Sequence, residues 1–531
     1  MKQLLLLLGM ALGLNTAAQD SFLYHVELEP VTIPNMPGVH SYAKAEHNGK
    51  WLIIGGRRDG LHARQPFNAF PESQNNTEVM VVDVNTEQYW STSINVLPTT
   101  IEEQMQSTNM NFTQREDTLY FAGGYAFSAT QQSHITFPYL TTIDVPNLMD
   151  AVINGNDITP YFKQVEDDIF AVTGGHLDVL NDTLYLVGGH RFDGAYNPMG
   201  NNTYTQTYVN GIRKFTVNNS GAQPTFGNYS EIIDPVHLRR RDYNLVPQIF
   251  PDGSEGFMIS SGVFQQNANL PFLYPVDIDK DGYYPNTAFN QYLSNYHSAK
   301  LALHHADSND MHALFFGGMS QYYYQNGSLI EDTEVPFVKT ISRVTRYSDG
   351  TMVEFQNPTE MPGLKGASAE FFTNPNLPQN SHGVIHLEQI NDDTIVAGHI
   401  VGGILSQTEN PFSNNNTSVT AADPTIYRVK LIYDKSLKLD QIDGKNPYKL
   451  TVFPNPAKEN ISVDFELDQP NQVDYFITNV SGEIVSEGSF KNTVSGKNSY
   501  PIQLKGIAAQ SLTITLIINH HYYLTKQIIK Q

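Results

Sequence analysis

Repeated glycine pairs at the ends of short apolar segments constrain the fold of this chain more than any other feature. Each complete copy is an apolar run followed directly by Gly-Gly, and a sixth, degraded copy ends in Ser-Ser-Gly. Self-similar segments at recurring intervals indicate a repeat architecture rather than a single irregular core. The copies are Trp51–Ile54, Thr118–Ala122, Thr183–Val187, Met311–Phe316, Ile395–Val401 and the degraded Phe257–Ser260.

Each copy has the same surroundings, which predict four strands per unit. A strand precedes each apolar run, and a turn rich in Asn, Asp and Gly separates the two, as tight hairpins require. A polar loop of variable length follows the glycines and leads to a second hairpin. The pattern shows no helical period, so the sequence predicts an all-β fold. The third strand is clearest at Glu78–Asp83, Thr207–Thr216, Lys339–Tyr347 and Thr425–Tyr433.

The first copy resembles the kelch family most closely. Gly55-Gly56 is followed by Val82-Asp83-Val84-Asn85-Thr86 and by Tyr89-Trp90, the order of glycines, turn and outer-strand aromatics in that family. The resemblance implies a kelch-like β-propeller over residues 19–434, with six blades, or seven as the alternative. A β-sandwich with chance glycine pairs is the competing fold. We expect Phe22–Val31 to pair with Thr425–Tyr433 and complete the last unit, which removes an exposed sheet edge.

The first residues and the overall charge predict an exported protein. Residues 1–18 have a basic start, an apolar run from Leu4 to Leu14 and small residues before Gln19, as in a signal peptide. About 11 apolar residues are too few to span a bilayer, so we expect no membrane span in the mature chain. The net charge of -22 disfavours nucleic acid as a partner. The chain has no Cys, so disulfides do not stabilise it.

The C-terminal segment resembles another family. A polar linker is expected at 435–447, and residues 448–531 alternate apolar and polar side chains as in a small Ig-like β-sandwich. This segment resembles the type A C-terminal sorting domain of the Bacteroidetes type IX secretion system. The resemblance implies export by that machinery to a secreted or outer-membrane surface location. The residues that carry it are Pro454, Asn455 and Pro456 at the start, Gly482 in a middle hairpin, and Lys526 and Lys530 at the end.

Propeller geometry predicts that one mouth of the channel collects residues from the starts of the first strands and from just after the glycines. Arg offers a planar fork for carboxylates, and Tyr offers a stacking face with a hydroxyl. We therefore take these residues as a candidate ligand-binding set, with strand-end capping as the alternative. The set is His40, Tyr42, Arg57, Arg58, Gln106, His176, His190, Arg191, Arg241, Asp242, Tyr243, His297 and His382.

No catalytic motif or cofactor site is predicted. His40, His297 and His382 could face one another across a narrow channel, but they lack ligand spacing, so we predict no metal. His304-His305 and His520-His521 are expected to be surface pairs. The leading hypothesis is a secreted or surface-displayed protein that binds an extracellular glycan or protein. The alternative is a carbohydrate-active enzyme, of sugar epimerase or lyase type, with His or Arg at the channel mouth.

Overall fold

The computed structural model describes residues 22–200, 203–325, 328–434, 449–467, 469–520 and 522–531. The predicted signal peptide and linker lie outside these residues. Strands form 51% and helices 7% of the chain, which confirms the all-β prediction.

Six units of four antiparallel strands make up the first part of the fold. Five are separate four-stranded sheets, and the fifth unit in chain order is part of a larger sheet. Unit 1 contains Ala43–His47, Lys50–Ile54, Glu78–Asp83 and Gln88–Ser93; unit 2 contains Asn111–Arg115, Thr118–Ala122, Tyr139–Asp144 and Phe162–Glu166; unit 3 contains His176–Leu180, Thr183–Val187, Gly211–Asn218 and Thr225–Ile233. Unit 4 contains Asn244–Ile249, Glu255–Ser260, Val276–Ile278 and Tyr283–Pro285; unit 5 contains Ala299–His305, Asp310–Phe316, Thr340–Arg346 and Met352–Glu360; unit 6 contains Glu370–Thr373, Thr394–Val401, Ile426–Tyr433 and Tyr24–Val31.

The fourth strand of unit 6 comes from the other end of the chain. Tyr24–Val31 pairs antiparallel with Ile426–Tyr433 over all eight residues of both strands. Val26 lies in the core of this unit. The pairing predicted for Phe22–Val31 is therefore confirmed.

The glycine pairs join each unit to the next. Both glycines of each pair have positive φ, and in unit 4 Ser261 and Gly262 adopt the same conformation. The second residue of the pair donates its N–H to a carbonyl in the segment that enters the following unit. The six bonds are Gly56 to Ser107, Gly124 to Val172, Gly189 to Arg240, Gly262 to Asn295, Gly318 to Lys365 and Gly403 to Val39, with lengths of 2.7–3.1 Å. The last of them returns from unit 6 to the segment before unit 1.

Short elements decorate the loops. Strands in loop ribbons are Tyr125–Ser128, Ser133–Thr136, His190–Gly194, Tyr204–Tyr208, Tyr322–Gln325, Ser328–Glu331, Leu364–Ala367, Ile385–His386, Ile404–Ser406 and Thr420–Ala422. The 3-10 turns are Glu72–Gln74, Ile94–Val96, Thr159–Tyr161, Asp168–Phe170, Leu387–Gln389 and Thr417–Val419.

Two α-helices, Thr99–Met105 and Val145–Asn154, depart from the purely β expectation. Asp144 caps the second helix by accepting from the Asn147 N–H, and Gly155 ends it with a φ of 68°. Each helix spans only a few turns, so its apolar period is too short to stand out among the strands.

The C-terminal part forms two small sheets around one core. One sheet contains three strands, and the other consists of four strands that continue the unit 5 sheet. Val463, Phe465, Ile514 and Ile528 pack between them. The strands are Leu450–Phe453, Asn460–Leu467, Val473–Asn479, Ile484–Phe490, Gly496–Gln503, Gln510–Ile518 and Tyr522–Lys530.

The sorting-domain residues meet within this part. The Asn455 side chain accepts from the Ile529 N–H and donates to the Gln527 carbonyl, both at 2.8 Å. The segment Pro454–Pro456 therefore lies against the last strand, which contains Lys526 and Lys530. Gly482, at a φ of 86°, turns the hairpin between Val473–Asn479 and Ile484–Phe490.

The two parts of the chain share a buried contact. The last strand pairs with the outer strand of unit 5, at Glu354 with Tyr523 and Phe355 with Tyr522. Tyr292 packs against Phe476 and Tyr523 and bonds the Thr515 hydroxyl at 2.8 Å. This contact makes the C-terminal domain an extension of the unit 5 sheet.

Candidate functional site

The first strands of all six units line one cavity of about 550 Å³, which we call the axial cavity. Consecutive residues of most of these strands line the cavity, because the first strand is an edge strand of its unit. The polar lining comes from units 1, 2, 3, 5 and 6 and from the loop before the second strand of unit 6. These polar residues are Lys44, Glu46, Thr113, Gln114, Glu116, His176, Asp178, Lys300, Glu370, Thr373, Gln379, Ser381 and His382.

A ring of backbone hydrogen bonds bounds this cavity where the first strands begin. The N–H of each residue donates to the carbonyl of the equivalent residue in the preceding unit. The bonds run from Asn109 to Ser41, Gly174 to Asn109, Asp242 to Gly174, His297 to Asp242, Ser368 to His297 and Ser41 to Ser368, at 2.7–3.2 Å. We call this side, where the glycine pairs also lie, the glycine end.

Most of the predicted binding residues lie at the glycine end and are already paired. Arg57 is only 2% exposed and bonds Asp59 through two nitrogens. Arg58 bonds Glu78 and Asn76. These carboxylates neutralise the charges of the two arginines.

The remaining arginines at this end have the same kind of partner. Arg191 forms ion pairs with Asp193 at 2.7 Å and with Asp168 at 3.1 Å. Arg241 pairs with its neighbour Asp242 and donates to the Tyr208 hydroxyl. Each guanidinium is thus committed to groups within the chain.

The predicted tyrosines tie neighbouring units together. The Tyr42 hydroxyl donates to the Val401 carbonyl at 2.9 Å, and the Tyr243 hydroxyl donates to the Val187 carbonyl at 2.7 Å. Both carbonyls directly precede a glycine pair of the adjacent unit. These two residues therefore cap strand ends.

Three other predicted polar residues at this end are buried. His40 lies near Asp59, and Gln106 accepts from Asn75 at 3.1 Å. His190 bonds Gln206 at 2.6 Å. Burial lowers the pKa of His40 and, further, that of His190, where Arg241 adds to the effect. Both imidazoles are consequently neutral at neutral pH.

Two predicted histidines meet next to the axial cavity. The rings of His176 and His297 are 5.2 Å apart, and His176 Nε2 donates to the Tyr243 carbonyl at 2.6 Å. His297 forms an ion pair with Glu370 at 3.0 Å. Burial opposes the charge of Glu370, but His297, Lys300 and Lys44 outweigh it and lower the pKa of Glu370 to about 2.

His382 also reaches the axial cavity, but not from the position we expected. The first strand of unit 6 is Glu370–Thr373, and His382 lies in the following loop, 374–393, at the opposite end from the glycines. Because this loop is long, the first strand of unit 6 lies further upstream than the spacing of the repeats predicted. His382 lies 3.6 Å from Asp178. Burial opposes charging of His382, but Asp178 outweighs burial and raises its pKa.

A carboxyl with a shifted pKa completes the cavity wall. Burial raises the pKa of Glu46 to about 7, although Lys44 opposes the shift. The Lys44 ammonium donates to the Phe371 carbonyl at 2.6 Å and lies over the Phe372 ring. A carboxyl with this pKa can accept or donate a proton near neutral pH.

Sequence reasoning missed five charged residues that the first strands contribute to the cavity. Four of them lie two or more positions beyond the predicted strand starts, and Glu370 lies upstream of His382, which the sequence placed at the strand start of unit 6. A detectable signal exists, since polar residues recur at alternate positions of several first strands where a core strand would be apolar. The missed residues are Lys44, Glu46, Asp178, Lys300 and Glu370.

Comparison with known proteins identifies the C-terminal domain. Residues 451–531 match the secretion system C-terminal sorting domain family. This domain marks proteins that type IX secretion exports to the cell surface or extracellular space, which confirms the predicted localisation. It also implies an interaction with the type IX machinery.

No curated protein matches the sequence. A solved structure titled "Structure of YjhT" is 14% identical, covers 75% of this chain and 99% of its own, and has a TM-score of 0.43. Among the described residues, neither α-helix has the length and apolar character needed to cross a membrane.

Proposed function

We propose that this exported protein binds an extracellular glycan in the axial cavity of a six-bladed, kelch-like β-propeller. Six four-stranded units support this architecture, as does the bond that returns from Gly403 to Val39. A seventh unit has no counterpart in the part of the chain that the structure describes. The convergence of six first strands on one cavity is the observation that carries the proposal.

The chemistry of the cavity suits a sugar. Its volume falls within the range of small-molecule sites. The carboxylates, the Lys300 ammonium and the Ser381 hydroxyl supply both donors and acceptors, as sugar hydroxyls require. Phe112 and Phe371 add apolar surface between these polar groups. Since both acidic and basic groups line the cavity, a neutral sugar matches the lining better than a strongly charged ligand.

Lys300 and Asp178 are the residues to change first. Lys300 forms no ion pair within 4 Å with any described residue, so its ammonium is available to a ligand hydroxyl. A hydrogen bond to a charged group contributes about 1.5–3 kcal/mol, so we expect Lys300→Met and Asp178→Asn to weaken glycan binding about tenfold or more.

Arg58→Ala and His190→Ala, at the glycine end, serve as matched controls. A glycan array followed by titration calorimetry on the best glycan measures all four variants. Weakened binding in both cavity variants with little change in the controls supports the axial site. The reverse pattern would place the ligand at the glycine end, as the sequence first suggested, and would overturn this proposal.

A carbohydrate-active enzyme of epimerase or lyase type is the second candidate. The pKa of about 7 at Glu46 favours it, because acid–base catalysts work best with a pKa near the operating pH. The same glycans, incubated with the protein and analysed for products, separate the two candidates. Turnover that Glu46→Gln abolishes would replace the binding proposal with an enzymatic one.

A further inference from the structure

Three potential metal ligands meet at the end of unit 5 that lies away from the glycines. The ligand atoms of His304, His386 and Glu388 all lie within 4.8 Å of one another. His304 is near the end of the first strand of unit 5. His386 and Glu388 come from the loop 374–393 and its 3-10 turn. These three residues do not line the axial cavity and take no part in the proposed glycan binding.

Strand pairing places the two histidines side by side. The short strand Ile385–His386 runs parallel to Ala299–His305, with His304 directly opposite His386. Paired residues in neighbouring strands present their side chains to the same face of a sheet. The two imidazole rings are 6.2 Å apart, edge to face. The backbone therefore fixes both histidines before any ion arrives.

His304 is not the surface residue that the sequence suggested. It is only 6% exposed, and its Nε2 lies 3.4 Å from the Asn309 side-chain oxygen. Its Nδ1 is buried and has no hydrogen-bond partner among the described residues. Leaving a buried polar atom unpaired costs free energy, so a ligand that bonds to this nitrogen would be stabilising. Burial lowers the pKa of His304, which keeps the imidazole neutral and able to coordinate.

Glu388 is held ready as a third ligand. Its Oε2 accepts from the Ala306 N–H at 3.1 Å, and its Oε1 lies 3.9 Å from His386 Nδ1. Burial opposes ionisation, but the Ala306 N–H and further hydrogen bonds outweigh it and lower the pKa of Glu388. The side chains of His386 and Glu388 are 22% and 15% exposed, which leaves a path from solvent.

We propose that His304, His386 and Glu388 bind a divalent transition-metal ion, with Zn²⁺ as the best match. Two imidazoles and one carboxylate form a donor set that Zn²⁺ accepts readily, with a water molecule in the fourth position. Ligands of a bound Zn²⁺ lie closer together than 4.8 Å, so the loop 374–393 moves slightly towards unit 5. The ion thereby attaches to unit 5 the loop that places Gln379, Ser381 and His382 at the axial cavity.

Metal binding is tested without any glycan, so the result is independent of the proposed function. The full mature chain is stripped with a chelator, titrated with Zn²⁺ and analysed by elemental analysis after gel filtration. We expect about one bound ion per chain. Replacing a ligand in His304→Ala, His386→Ala or Glu388→Gln should weaken binding more than about 100-fold, since even losing a group that only supports a ligand costs about 10- to 100-fold.

His305→Ala is the matched control, because its side chain points to the other face of the same strand. It should bind Zn²⁺ as the unmodified chain does. Co²⁺ in place of Zn²⁺ should give the visible absorption of a four-coordinate site, and the ion should protect the loop 374–393 from proteolysis. If His304→Ala does not fold, the test rests on Glu388→Gln, because Glu388 is partly exposed and its replacement should leave the fold intact. No retained Zn²⁺ at micromolar concentration, or equal retention in Glu388→Gln and His305→Ala, would overturn the proposal.

Discussion

At the scale of single residues, the two glycines of each pair have different roles. The first brings its Cα against the backbone of the next unit, and the second donates the hydrogen bond between units. At Gly402, an added Cβ would lie 2.0 Å from the Val39 carbonyl oxygen. Ser261 takes the first position in unit 4, which explains why that copy appears degraded although its backbone conformation is kept.

Replacing Gly402 with alanine should therefore cost more than a positive φ alone. A left-handed residue with a side chain costs about 1–2 kcal/mol, and crowding adds about 1–3 kcal/mol. We expect Gly402→Ala to lower the free energy of unfolding by about 2–5 kcal/mol, measured by urea denaturation.

Gly253→Ala is the control for this experiment. Gly253 also has positive φ, at 83°, but an added Cβ would meet nothing within 4 Å. Gly253→Ala should lower the free energy of unfolding only by the cost of the left-handed backbone, about 1–2 kcal/mol. Equal losses in both variants would contradict a role for close packing between units.

The sequence predicted the residues at the glycine end and left two roles open for them, ligand binding and strand-end capping. The strand starts and the glycines are visible in the pattern, so His40, Arg57 and His190 were found. Acidic partners that are distant in sequence, such as Glu78 for Arg58, become apparent only when the loops are folded back. The charged lining of the axial cavity was missed because it forms only when the first strands of different units come together.

At the scale of elements, the outer strand of unit 5 carries a buried carboxyl where the two parts of the chain meet. The Glu354 oxygens accept from the Tyr292 and Leu293 N–H groups at 2.7 and 3.0 Å. Burial outweighs these bonds and raises the pKa of Glu354 from 4.5 to about 8. The folded state therefore holds this proton more tightly than the unfolded chain does.

Stability at this junction should decrease with rising pH. The contribution of Glu354 is fully present below pH 4.5 and is lost as pH rises towards 8. The loss is at most about 1.4 kcal/mol per pH unit. Glu354→Gln cannot ionise, so the urea midpoint of this variant should vary less between pH 5 and 8 than that of the unmodified chain. Parallel pH profiles for the two proteins would contradict this role of Glu354.

Most elements followed from the sequence, and the exceptions share a cause. Glu78–Asp83 was predicted at its observed bounds, and the predicted Lys339–Tyr347 differs from Thr340–Arg346 by one residue at each end. Thr207–Thr216 was predicted as one strand, but a break separates Tyr204–Tyr208 from Gly211–Asn218. Insertions such as 374–393 change the spacing between strands but not the pattern within each strand. A strand position predicted from the repeat spacing is therefore wrong next to such an insertion.

At the scale of the whole molecule, one strand pairing joins distant parts of the chain. Five units are built from contiguous segments, but unit 6 needs Tyr24–Val31 to complete it. Without this strand, Ile426–Tyr433 would be an exposed edge, which favours aggregation. The N-terminal strand therefore links the segment before unit 1 to unit 6.

Removing that strand should destabilise the six units together rather than unit 6 alone. Phe22, Val26 and Val31 are each buried, and burying one such side chain contributes about 1.5–3 kcal/mol, so their loss approaches the net stability of a typical domain. A chain that begins at Ile33 should show a lower urea midpoint and aggregate, whereas one that begins at Gln19 should not. A synthetic peptide spanning residues 22–31 should restore the midpoint of the shortened chain, because the acceptor edge is intact. An unchanged midpoint after truncation would mean that the six units hold together through their glycine contacts alone.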